Sequence, residues 1–139
     1  MLETLLLLLL AVSWLYWLVA WWITRAFFRS RRTASLGFAP AVSILKPVRG
    51  LDAQALRNYA SFCQQDYPDY ELLFGFSNPE DPAIQVVRQL QHDFPHLCIR
   101  LVTGPVLGAN RKASLLHHLA VEARHDILVI SDSDMRVTP

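Results

Sequence analysis

No charged residue occurs between Thr4 and Ile23, and no lysine or arginine occurs before Arg25. A stretch of that length without charge cannot form the solvated surface of a soluble domain. Only two cysteines are present, Cys63 and Cys98. Their spacing excludes a thiolate metal site, and their apolar or amphipathic surroundings predict reduced, structural thiols in a cytosolic compartment. Thirteen lysines and arginines face twelve acidic residues, so no strongly basic face is available and nucleic acid is not an expected partner. There is no internal repeat and no low-complexity tract. With 139 residues, part of them apolar leader, the chain has room for one ordinary domain of modest core.

What the first segment has instead is an unbroken leucine run, residues 5–10, inside a stretch of about 20 apolar residues, the length that crosses roughly 30 Å of hydrocarbon. All four tryptophans lie here, and Trp21 and Trp22 stand where indoles favour the headgroup layer. Arg25, Arg29, Arg31 and Arg32 follow, against a lone Glu3 at the other end. That asymmetry orients the C-terminal flank to the cytoplasm. The expectation is a single-pass anchor over residues 1–24, a juxtamembrane linker over 25–40 and a cytosolic domain over 41–139. A cleaved signal peptide is the competing reading; Glu3 and the bulky aromatics disfavour it, because such peptides carry a basic start, a shorter apolar core and a small-residue cleavage site.

Beyond the linker, apolar runs and amphipathic stretches alternate. Residues 41–45 read as a strand stopped by Lys46-Pro47, because proline cannot donate to a ladder. Residues 53–65 read as a helix capped by Asp52, with Ala55, Leu56, Tyr59, Ala60, Phe62 and Cys63 on its apolar stripe. A strand over 70–76, a helix capped by Asp81 with Pro82 at its first position, a strand over 97–102, a helix over 112–123 and a strand over 126–130 complete the pattern. Such alternation is the signature of an α/β fold with a parallel sheet covered on both faces. Ligands of such sheets collect beyond the carboxyl ends of the strands, here residues 46–50, 77–81, 104–112 and 131–134.

Asp132-Ser133-Asp134 is the strongest chemical signal, since an apolar strand would deliver two carboxylates to that edge. Hard carboxylate oxygens suit Mg²⁺ or Mn²⁺, completed by water and the phosphate oxygens of a nucleotide diphosphate. Two alternatives stand beside this. Asp132 or Asp134 can serve turn chemistry, bonding nearby backbone amides. A haloacid dehalogenase phosphatase also sets Asp-x-Asp after a strand, although there the motif closes the first strand and here three strand-helix units precede it. Asp81 is in any case an ordinary helix cap, and Asn110 can serve its own turn. Lys46, Arg49, Arg111 and Lys112 suit a diphosphate or are merely solvated. His117 and His118 lie inside a helix without ligand spacing and read as structural.

Taken together, Val42 to Gly50 (Val-Ser-Ile-Leu-Lys-Pro-Val-Arg-Gly), Gln65-Asp66-Tyr67-Pro68, Asp81-Pro82-Ala83, Gly108-Ala109-Asn110-Arg111-Lys112 and Ser131-Asp132-Ser133-Asp134-Met135-Arg136-Val137 resemble, in order and spacing, the ceramide glucosyltransferase family and its bacterial relatives linked to hopanoid lipids. The resemblance implies the nucleotide-binding half of a GT-A (Rossmann-like, mostly parallel) glycosyltransferase domain. It implies a membrane enzyme, in a bacterial inner membrane, that moves a hexose from a UDP-sugar to a lipid hydroxyl of ceramide or a hopanoid with inversion. On it, Lys46, Asp81, Asn110, Lys112 and Asp132 belong to the nucleotide-sugar site, and Asp132 and Asp134 hold Mg²⁺ or Mn²⁺. Arg111 departs from the proline usual in eukaryotic members, and the position of Asp134 is not always acidic. Family members continue with a further aspartate as general base and a Gln-x-x-Arg-Trp segment. Neither follows Pro139, so the chain is expected to be a truncated donor-binding half with little turnover alone, or a non-catalytic membrane-anchored fragment that binds a nucleotide or a partner.

Overall fold

A computed structural model describes residues 1–30 and 37–139. The expected basic residues Arg31 and Arg32 lie outside the described residues. Two compact units result, Met1–Phe38 and Ala39–Pro139.

The first unit is helix α1 (Leu2–Ser30). Its 29 residues at 1.5 Å rise make a rod of about 44 Å, long and apolar enough to cross a membrane. It continues through residues 25–30, which the sequence pattern assigned to the linker. Glu3 in its first turn and Arg29 in its last both complement the helix dipole. Arg25 folds back so that its guanidinium lies 5.5 Å from the Trp21 ring centroid, an apolar stem with a charged head at the helix end.

In the second unit the chain runs β1 (Val42–Val48), α2 (Ala55–Cys63), β2 (Tyr70–Phe76), α3 (Ala83–Asp93), β3 (Cys98–Thr103), α4 (Arg111–Glu122) and β4 (Ile127–Ile130). The four strands form one parallel sheet in the order β3-β2-β1-β4. Side chains alternate across the sheet, so Ile44, Val48, Leu72, Phe74 and Phe76 meet α2 and α3 on one face. Leu45, Leu73 and Val102 meet Leu119 of α4 on the other. Gly75 permits the close approach of α4: a Cβ there would stand 2.9 Å from a methyl of Leu119.

The order has a functional consequence. From β1 the chain steps outward to β2 and β3, then returns over the opposite face to place β4 on the free side of β1. Right-handed crossovers require the helices to change face at that reversal. The reversal opens a crevice between the carboxyl ends of β1 and β4, where open α/β sheets bind ligands.

Three local expectations are corrected. β1 does not stop at Lys46-Pro47 but runs to Val48. The Leu45 carbonyl accepts from Ser131 N–H toward β4; by alternation the missing N–H of Pro47 points the same way, past the end of that short strand, and costs β1 no existing bond. Asp52 provides no side-chain cap to α2, which begins at Ala55 after a turn closed by the Asp52 carbonyl. Along α2, Leu56 is exposed, while Asn58 and Ser61 are buried in the apolar stripe. Finally, β4 is not buried: Ile127, Leu128, Val129 and Ile130 are each at least 40% exposed, because β4 packs against β1 alone and no helix covers its faces as α3 and α4 cover the other edge strand, β3.

Candidate functional site

A cavity of 490 Å³ opens at the β1/β4 crevice, lined by Pro47, Val48, Arg49, Asp52, Ser77, Arg111, Lys112, Leu115, Asp132, Ser133 and Asp134. Each of the four segments expected at the ligand edge therefore reaches this region or its immediate support.

The Asp132 segment is built by the end of β4. Ser131 and Asp132 leave the sheet on alternate faces, Ser131 toward the α2 side and Asp132 toward α4. The Asp132 carbonyl accepts Met135 N–H at 3.4 Å and so closes the turn with backbone alone. Its carboxylate, about half exposed, instead pairs with Lys112 Nζ at 2.5 Å. Asp134 lines the same cavity, and its carbonyl is held by Asn58 Nδ2 at 3.2 Å. Ser61 Oγ accepts Val137 N–H at 3.2 Å. Asn58 and Ser61 thus anchor the chain after the acidic pair. Sequence reading missed both; their polar groups inside an apolar stripe were the available signal.

Lys46 lies behind the cavity wall rather than on it. Its side chain is fully buried on the α2 face, with Nζ 2.9 Å from the Asp132 carbonyl, 3.1 Å from Ser131 Oγ and 3.6 Å from the Phe62 ring centroid. Burial lowers its pKa to about 8, opposed by the charges of Asp132 and Asp134. Asp81 is likewise buried and spans two loops: Oδ1 accepts Ala83 N–H at 3.0 Å, starting α3, and Oδ2 accepts Gly50 N–H at 2.8 Å. Gly50 has φ 72°, a left-handed conformation that glycine adopts without strain. Asn110 caps α4, its Oδ1 accepting Ala113 N–H at 3.1 Å, which stabilises the helix by about 1 kcal/mol and sets Arg111 and Lys112 at the cavity. His118 bonds the Pro105 carbonyl at 2.9 Å, and His117 is exposed; both are structural features of α4. Of the expected site residues, Lys112, Asp132 and Asp134 meet at the cavity, while Lys46, Asp81 and Asn110 brace it.

Among the described residues no group of three or more His, Cys, Asp or Glu could hold a metal. Three carboxylates, Asp52, Asp132 and Asp134, line the cavity with three cationic side chains and fit a different arrangement: a Mg²⁺ or Mn²⁺ ion that arrives with a diphosphate, is held by one or two of them and takes its remaining ligands from phosphate and water. Both thiols are free. Cys63 is buried and pushed up to about 12 by that burial, and is inert at neutral pH.

Residues 5–139 match glycosyl transferase family 21. Ceramide glucosyltransferase 1 of Caenorhabditis elegans is 36% identical over 101 residues, covering 72% of this chain and 22% of that protein. The ceramide glucosyltransferase of Komagataella phaffii is 31% identical over 101 residues, covering 69% and 20%. The chain spans about a fifth of the length of these curated relatives. Among solved structures, a mannosyltransferase from Pyrobaculum calidifontis, in complex with GDP-Man and Mn²⁺, superposes with a TM-score of 0.60 at 25% identity, over 70% of this chain and 28% of that one. Staphylococcus aureus TarS shares the fold at a TM-score of 0.54 and 16% identity, over 70% and 28%.

Proposed function

The chain belongs to glycosyl transferase family 21, and from that premise we propose that residues 41–139 form the donor-binding part of a membrane-anchored hexosyltransferase that uses a UDP-sugar and a lipid acceptor such as ceramide or a hopanoid. The supporting observation is the convergence of Asp132 and Asp134 with Arg49, Arg111 and Lys112 on one cavity at the β1/β4 crevice. Ceramide glucosyltransferases as relatives support the hexose and the lipid. Helix α1 and its basic flank support a membrane acceptor and a cytosolic site.

Inverting transfer requires a stabilised leaving diphosphate, a deprotonated acceptor hydroxyl and in-line alignment. Asp132 and Asp134 would hold Mg²⁺ or Mn²⁺, which when bound supplies positive charge against the departing diphosphate. Lys112 and Arg111 add cationic donors at the same mouth, and Asn110 keeps them there by fixing the start of α4. Asp81 ties the loop after β1 to the loop after β2 and so braces the β1 side of the crevice. These residues serve the leaving group; deprotonation of the acceptor belongs to a base outside the set.

Calorimetric titration of the full chain with UDP tests the reading. Binding that requires Mn²⁺, reverses with a chelator and is lost in Asp132→Ala is the expected result. A folded chain that ignores UDP with or without Mn²⁺ would instead favour a non-catalytic, partner-binding role.

A further inference from the structure

Lys46 is the only fully buried lysine among the described residues, and the sheet itself shows why an ammonium is needed there. The ladder between β1 and β4 ends with Ser131 N–H donating to the Leu45 carbonyl. In a parallel pair the next rung would run from the N–H of residue 47 to the carbonyl of residue 131. Residue 47 is proline and has no N–H. The ladder therefore fails one residue before Asp132, on an edge strand with no neighbour on its other side. At that step the Lys46 amine takes over, donating to Ser131 Oγ and to the Asp132 carbonyl, with the Phe62 ring against it.

We infer that Lys46 is a positioning residue: beyond the last β1–β4 rung its buried ammonium holds Ser131 through Oγ and Asp132 through its carbonyl, so that the Asp132 carboxylate faces the cavity. The inference rests on the donor-site reading above. Packing alone does not account for the residue, since a methionine has similar length and would fill the same slot without a desolvated charge. A group kept for position at the expense of stability is the arrangement expected of functional sites. The two lysines then divide the work, Lys46 fixing the backbone from the α2 face and Lys112 meeting the carboxylate from the α4 face.

The test compares full-length wild type, Lys46→Met and Lys46→Arg for Mn²⁺–UDP affinity by calorimetry and for melting temperature. Lys46→Met is expected to weaken affinity at least tenfold while melting at or above the wild-type temperature, and Lys46→Arg to recover part of the affinity. A merely structural lysine would move both quantities down together. Affinity within twofold of wild type in Lys46→Met overturns the inference and leaves the donor site standing. If Lys46→Met does not fold, Lys46→Gln, neutral and close in size, is read by the same thresholds. Absence of Mn²⁺–UDP binding in wild type overturns the donor-site reading, and this role of Lys46 with it.

Discussion

Tyr59 on α2 carries the one buried side-chain oxygen among the described residues without a hydrogen-bond partner. Its ring is fully buried, 5.1 Å from that of Phe74, and burial, then the charges of Asp52 and Asp81, push its hydroxyl up to about 12. The ring contributes packing, while the hydroxyl was desolvated for no return. Tyr59→Phe should therefore stabilise the domain by about 1 kcal/mol, which for roughly 100 residues raises the melting temperature by ~4–8 °C. A fall in melting temperature would show that the hydroxyl has a partner. The sequence marks Tyr59 only as an apolar-stripe position, because its orphan oxygen depends on what lies opposite. Lys46 was expected at the nucleotide-sugar site, whereas its burial behind the cavity wall and its direction follow from β1 continuing through Pro47.

Among the elements, the alternation of strands and helices was plain in the apolar periodicity, and the places that resisted reading are those set by partners distant in sequence. β4 reads as buried from Ile127-Leu128-Val129-Ile130, yet it is exposed because no helix is packed over its faces. Glu71 is the clearest case. It interrupts the apolar run of β2 and is only 1% exposed, accepting Ser43 Oγ–H at 2.6 Å and Arg124 N–H at 2.7 Å, while Ser43 Oγ accepts His125 N–H at 3.1 Å. This network ties the α4–β4 connection to β1 and β2, and so fixes where β4 begins. Burial by itself would raise the Glu71 pKa; the hydrogen bonds from Ser43 and Arg124 and the charges of Arg100 and His125 outweigh it and hold the carboxyl below its ordinary 4.5. A depressed folded-state pKa contributes stability that is present above the unfolded value and is lost as pH falls through the folded one. The difference in melting temperature between wild type and Glu71→Gln should thus be largest near neutrality and shrink below about pH 4.5. A gap that stays constant down to pH 3 would contradict this account of Glu71.

For the whole molecule, the family, the α/β class and the apolar helix were all readable from the chain itself, because each rests on local pattern or on motif order. Two compact units imply separable behaviour. The full chain should remain with membranes through an alkaline carbonate wash, and a chain beginning at Ala39 should be released; recovery of the full chain in the supernatant would remove α1 as a membrane anchor. Manganese spin resonance reads the donor site without requiring turnover. With UDP present, adding the wild-type chain should diminish the six-line signal of free Mn²⁺, whereas the near-isosteric Asp132→Asn chain should leave it largely intact. Equal loss of signal with both chains, or no loss with either, would contradict a metal-diphosphate site at Asp132.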